Sequence, residues 1–197
     1  MSRVEMADFA EKLFDYPSKK LTVIGVTGTS GKTSVTCFVH NVLLKMGFNS
    51  YLAGTLSNEL TTAESLDIQD SMAQHVAKGG THYVMEISSH SIDQKRIKNI
   101  EFDIKLLTNL GTDHLDYHKT VEAYHEVKKS FMREYPGISI YPKDYLKEEL
   151  NFKSPLLGQF NLENLQAAQA ILRALCPNRM EEISKFLSES AAPPGRL

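Results

Sequence analysis

The chain has no tryptophan and only two cysteines among its 197 residues. Cys37 and Cys176 share no metal-ligand or redox spacing, which excludes a disulfide framework. Cys37 falls within a helical pattern and reads as a small buried apolar residue. A reducing, cytoplasmic setting is therefore expected. No run approaches 18 apolar residues, so the sequence carries no helical membrane span. The stretch Met1–Asp8 has no apolar core and is not a secretory signal. Charge of one sign is not in excess: a net charge of −2 gives no electrostatic footprint for nucleic acid or an anionic membrane. Internal repeats and low-complexity tracts are also missing. What is present is an ordinary globular composition, 42% hydrophobic and 23% charged. It fits one domain over residues 1–197, expected to be a monomer.

The most informative segment is Leu21-Thr22-Val23-Ile24-Gly25-Val26-Thr27-Gly28-Thr29-Ser30-Gly31-Lys32-Thr33-Ser34. A β-branched apolar run enters a glycine-rich turn that ends in Gly-Lys-Thr, and a helical pattern follows. Backbone N–H groups around Gly28 to Lys32 can wrap a phosphate, and the helix N-terminus adds a favourable dipole. Lys32 supplies charge for the outer phosphates and Thr33 a hydroxyl for Mg²⁺. Val26 stands where the first glycine of the general pattern G-x-x-x-x-G-K-[ST] belongs. The context of strand, loop and helix nevertheless predicts a nucleotide site.

The remaining pattern alternates strands and helices. Helices are predicted over 4–14, 32–46 (capped by Gly47), 64–78, 120–134, 161–175 and 181–188. Strands are predicted at 21–26, from 50, at 82–87 and at 102–108, with a further one near 137–141. This order implies an α/β fold with a doubly wound, mostly parallel sheet, whose ligands gather at the carboxyl ends of the strands.

Three polar clusters stand at such ends. Glu86, in Glu86-Ile87-Ser88-Ser89-His90, finishes an apolar strand, where a carboxylate is costly without a partner such as Mg²⁺. The stretch Thr108–His118 holds Asp113, His114, Asp116 and His118. His114 and His118 have the i, i+4 spacing of a Zn²⁺ pair, but no cysteine or third histidine completes a set. Lys128 lies on the third. With Tyr124 at zero on a helical wheel, Phe131 falls at about −20°, Lys128 at about +40°, Val121 at about +60° and Lys129 at about +140°. Lys128 thus shares the inward stripe, as a snorkelling stem or a functional amine, while Lys129 points to solvent.

Taken together these motifs resemble the central domain of the Mur ligases, ATP-dependent amide-forming enzymes of peptidoglycan precursor synthesis. The carrying residues are Thr27–Thr33, Glu86–His90, Thr108-Asn109-Leu110, Asp113–His118, Lys128 and Gly158-Gln159-Phe160-Asn161-Leu162-Glu163-Asn164. Tyr16–Leu21, Thr61-Thr62 and Gln94-Lys95-Arg96 are most similar to the MurE-type, which adds the third amino acid to UDP-N-acetylmuramoyl-L-alanyl-D-glutamate. The resemblance implies that Gly28, Thr29, Ser30, Gly31, Lys32, Thr33 and Ser34 bind the ATP phosphates. It implies that Thr33 and Glu86 hold one Mg²⁺, and that His114 and a carbamylated Lys128 hold a second. Lys32, Lys128 and His114 would be the catalytic set. Thr61, Thr62, Ser88, Gln94 and Arg96 would contact the UDP-muramoyl dipeptide. The implied reaction passes the terminal phosphoryl group of ATP to the D-glutamate carboxylate, and the acyl phosphate is then attacked by the incoming amine.

Some features depart from the family. Ala63-Glu64 stands where many relatives have Pro-Glu, and Gly111-Thr112 replaces a common Ser-Arg. The loops around 55–62 and 136–156 look short. The family's N-terminal UDP-binding domain and C-terminal amino-acid domain lie outside these 197 residues. The tail 191–197, with Pro194-Gly195-Arg196, reads as a junction to that third domain, so a longer parent protein is expected. Two alternatives are a folylpolyglutamate synthase-like ligase, against which Thr61-Thr62 and Gln94-Lys95-Arg96 argue, and a stand-alone non-catalytic nucleotide-binding module. The identity of the added amino acid is not legible.

Overall fold

The computed structural model describes residues 1–56 and 60–194. Five strands form one parallel sheet: β1 (Thr22–Thr27), β2 (Ser50–Ala53), β3 (His82–Ile87), β4 (Ile104–Leu107) and β5 (Ile138–Ile140). Their spatial order is β2-β3-β1-β4-β5, and every pairing is parallel. β1 thus lies at the centre, with Thr27 level with Ile87 on one side and Leu107 on the other. The loop after β1 emerges between the ends of β3 and β4, where the strand order switches direction.

Alternation along the strands divides the core in two. Ile24, Val26, Val84, Ile104, Leu106 and Ile140 face a layer made by α2 (Lys32–Lys45), α8 (Gln159–Leu175) and α9 (Met180–Ser188). Val23, Tyr83, Met85, Ile87 and Leu107 face α3 (Ser65–Ala77), the single-turn α4 (Ser89–Asp93) and α6 (Val121–Glu134). Strands buried on both faces read as continuous apolar runs, as β1 and β3 do. Each fully buried Val or Ile contributes about 1.5–3 kcal/mol relative to exposure. An N-terminal helix, α1 (Arg3–Leu13), packs on α3 and is closed by a capping box between Ser2 and Glu5. The short α5 (Leu115–His118) and α7 (Pro142–Tyr145) complete the list of α-helices among the described residues.

The predicted elements all appear, with ends shifted by a few residues. The wheel holds as well: Lys128 is 1% exposed and Lys129 is exposed. Cys37 is buried. The sequence pattern missed α4, α5, α7 and the 3₁₀ turns Pro17–Lys20 and Pro177–Arg179. Of the expected junction, Ala191 lines a groove between α2 and α9 and Pro193 is buried; Gly195 to Leu197 lie outside the described residues. The loop at 55–62 likewise includes residues 57–59, which are outside them. Among the described residues, no helix is long and apolar enough to cross a membrane.

Candidate functional site: the loop after β1

The loop that follows Thr27 needs two glycines. Gly28 has φ +142°, and a Cβ there would stand 1.8 Å from Thr108 Oγ1. Gly31 has φ +86°, and a Cβ would stand 2.4 Å from Asn164 Oδ1. Gly31 is also the N-cap of α2 and offers no side chain to the first-turn N–H groups, which leaves that end suited to an anion.

The loop is braced from behind by residues distant in sequence. Asn109 accepts from Thr29 N through its carbonyl (3.1 Å) and from Ser30 N through Oδ1 (3.0 Å), and its own amide donates to Ser30 O (3.2 Å). Thr108 Oγ1 donates to Ser30 O at 2.6 Å. Thr29 Oγ1 accepts from Gly111 N (2.9 Å) and from Tyr124 Oη (3.1 Å). Thr29, Ser30, Gly31, Lys32, Thr33 and Ser34 together line a cleft of about 350 Å³, shared with Thr55, Thr61, Glu86 and Asp113.

Two ammonium groups converge on one carbonyl of this loop. Lys32 Nζ donates to Gly28 O (2.9 Å) and Thr29 O (3.0 Å). Lys128 Nζ donates to Gly28 O at 3.0 Å and lies 4.7 Å from the centre of the Tyr124 ring. Burial, reinforced by the charge of Lys32 and opposed by Asp113, lowers the Lys128 pKa to about 7.

On the other wall, the Glu86 carboxylate is 2% exposed and fully engaged. Thr33 Oγ1 donates to Oε2 at 2.9 Å, and Thr55 donates from N to Oε1 (2.8 Å) and from Oγ1 to Oε2 (3.3 Å). The structure thus brings Thr33 and Glu86 together, 53 residues apart in sequence. Thr62 Oγ1 donates to Glu86 O (2.8 Å) and accepts from Ser88 N (3.0 Å). Thr61 reaches the cleft, whereas Thr62 is buried beneath it. Gln94 and Arg96 are occupied within the fold. Arg96 donates to Thr62 O (2.9 Å) and to Gln94 Oε1 (2.6 Å), and pairs with Glu64 (3.0 Å). Arg3, from α1, also donates to Gln94 Oε1.

His114 adopts a left-handed conformation (φ 50°, ψ 37°) at the start of α5. Its ring stands 6.3 Å from that of Tyr124, the same ring that lies 4.7 Å from the Lys128 amine. The sequence offered no third histidine to this pair, yet the fold brings His90 on α4 to 4.8 Å from His114 and 5.6 Å from His118, ring centre to ring centre. Burial, then the neighbouring His114, holds the His90 pKa below its ordinary value; burial, then His90, does the same for His118. Among the described residues, no group of three His, Cys, Asp or Glu side chains is arranged to hold a metal ion.

A parallel α/β sheet with a glycine-rich loop at its switch point, a lysine on the loop and a Thr–Glu pair facing it define an α/β protein of the P-loop type. The family is narrower: the Mur ligase middle domain matches residues 26–148, and the chain belongs to that family. A UDP-N-acetylmuramoyl-L-alanyl-D-glutamate–2,6-diaminopimelate ligase from Gloeobacter violaceus is 35% identical, the match covering 97% of this chain and 50% of that protein. A solved structure of an enzyme of that name superposes with a TM-score of 0.76 at 24% identity, over 96% of this chain and 50% of the other. A MurF ligase from Thermotoga maritima, solved in complex with ADP, shares the fold with a TM-score of 0.69 at 18% identity, over 94% of this chain and 53% of that one. The chain spans about half the length of the relatives it matches.

Proposed function

We propose that this chain is the ATP-binding middle domain of a ligase that adds diaminopimelate to UDP-N-acetylmuramoyl-L-alanyl-D-glutamate through an acyl phosphate. The observation that carries the reading is the meeting of Thr33 Oγ1 and Glu86 at 2.9 Å across the cleft of the Gly28–Ser34 loop. The names of the 30–40% identical relatives supply the substrate and the amino acid.

The donor set suits Mg²⁺. A hydroxyl and a carboxylate are hard oxygen ligands, and a pair of protein ligands suits a cation that takes its remaining ligands from phosphates and water. Bound there by Thr33 and Glu86, Mg²⁺ would neutralise charge on the phosphates. A carbamate on Lys128, with His114, would hold a second ion. Lys128 is suited to that modification because CO₂ reacts with the neutral amine, which burial favours here.

The chain's own residues do the rest. Backbone N–H groups at the start of α2 hold phosphate oxygens, and Gly28 and Gly31 let the loop fold close to them. Lys32 swings from the Gly28 and Thr29 carbonyls onto the outer phosphates and stabilises charge on the transferring group. Thr61, on the cleft wall, faces the carboxylate end of the peptide substrate. Thr62, Ser88, Gln94 and Arg96 fix that wall from behind.

The test uses the full-length parent protein. Phosphate release should require ATP, UDP-N-acetylmuramoyl-L-alanyl-D-glutamate and diaminopimelate together. Turnover with a folate polyglutamate acceptor instead would overturn the substrate assignment. No acceptor-dependent release with any amino acid would overturn the ligase reading.

A further inference from the structure

The pairing of β4 with β5 stops at Leu106 and Ile140, whereas β4 continues beside β1 to Leu107. The carbonyls of Leu107 and Thr108 therefore run past the last β5 partner, at the end of the sheet where the loop is braced. The chain leaves β5 at Tyr141 and turns at once into α7. Asp144 closes that turn: its N–H donates to Tyr141 O, and its carboxylate accepts from Tyr141 N, both at 2.8 Å. The turn sends Tyr145 back into the core, 1% exposed. Its hydroxyl proton is shared between Thr108 O (2.9 Å) and Leu107 O (3.2 Å).

We propose that Tyr145 is a positioning residue for the phosphate loop, acting through Thr108. A phenylalanine would fill the same space but lack the hydroxyl that reaches the two carbonyls at the end of β4. Thr108 then holds Ser30 through its side chain, and the next residue, Asn109, holds the N–H groups of Thr29 and Ser30. The same connector is tied to α8, where Gln166 Nε2 donates to Glu148 O (2.6 Å) and Arg173 pairs with Glu148 (2.6 Å). α8 in turn carries Asn164 against Gly31. The β5–α8 connector thus braces the loop from two sides. This inference deepens the nucleotide-binding reading above and rests on it.

The test compares Tyr145→Phe, Thr108→Val and the double variant of the 197-residue chain. Two measurements are made: ATP·Mg²⁺ titration, and amide hydrogen exchange without ligand. Tyr145→Phe should keep its far-UV circular dichroism and bind ATP·Mg²⁺ about 3- to 10-fold more weakly, the effect of losing one hydrogen bond. Little of that loss should remain in the Thr108→Val background, because both substitutions break one chain of contacts. The amides of Thr29 and Ser30 should exchange about 10-fold faster while that of Val84, mid-strand in β3, is unchanged. Three results would overturn the proposal: affinity and exchange unaltered in Tyr145→Phe, fully additive losses, or faster exchange spread evenly over the sheet. If the unsubstituted chain does not bind ATP·Mg²⁺, the nucleotide reading fails, and the exchange measurement alone decides whether Tyr145 positions the loop.

Discussion

Lys128 sits under electrostatic tension beside the phosphate loop. Its amine is buried, faces a second ammonium and has one carbonyl acceptor and an aromatic ring for company. Its folded-state pKa of about 7 lies below the ordinary value of 10.5. Between those values the unfolded chain binds a proton that the native chain lacks, so this residue makes stability rise with pH. The slope reaches at most about 1.4 kcal/mol per pH unit in the middle of that window and vanishes below it. Lys128→Met removes the term. In urea unfolding, the stability of the native chain should therefore gain on that of Lys128→Met as pH rises from 7 to 9.5; parallel pH profiles would refute the perturbed amine. The same neutral amine should form a carbamate, read as a ¹³C signal under ¹³CO₂ with Mg²⁺ and nucleotide, and absent in Lys128→Ala. The inward placement of Lys128 was legible because α6 is long enough to show its period. The engagement of Gln94 and Arg96 with Arg3, Glu64 and Thr62 was not, since those partners lie far apart in sequence.

At the level of elements, the loop after β1 is a backbone shape imposed by its neighbours. A side chain at Gly28 meets both a disfavoured φ of +142° and the Thr108 hydroxyl, whereas Gly47, with φ +86°, opens onto empty space. Gly28→Ala should therefore cost several kcal/mol and abolish nucleotide binding, while Gly47→Ala should cost only about 1 kcal/mol and leave binding intact. Thermal unfolding and ATP titration of the two variants check the contrast; equal effects would mean that the loop tolerates displacement. The sequence announced this loop through its glycines, and announced β1, β3 and α6 through their runs and periods. It was silent on α4, α5 and α7, because a helix of one turn shows no period and is held by tertiary contacts such as Asp144 on Tyr141 and Tyr145 on Thr108. The bracing by Thr108, Asn109 and Asn164 was visible only as unassigned matches to the family. The nearness of His90 to His114 and His118 was hidden for the same reason, as it requires α4 and α5 to meet.

For the whole molecule, the open cleft and the doubled length of the relatives point the same way. On the proposed reading, these residues supply the groups for phosphate and cation, and the remaining half of the relatives' length would close the cleft and bind the incoming amine. The chain by itself should bind nucleotide and show no amino-acid-dependent phosphate release; turnover at an ordinary ligase rate, about 1–100 s⁻¹, would show that one domain suffices. The most direct test of the account is titration of ATP·Mg²⁺ against the native chain and Lys32→Ala. The account predicts saturable binding to the native chain, weakened by about 2–4 kcal/mol, roughly 30- to 1,000-fold, when the ammonium over the loop is removed. Equal affinities for the two proteins would contradict it.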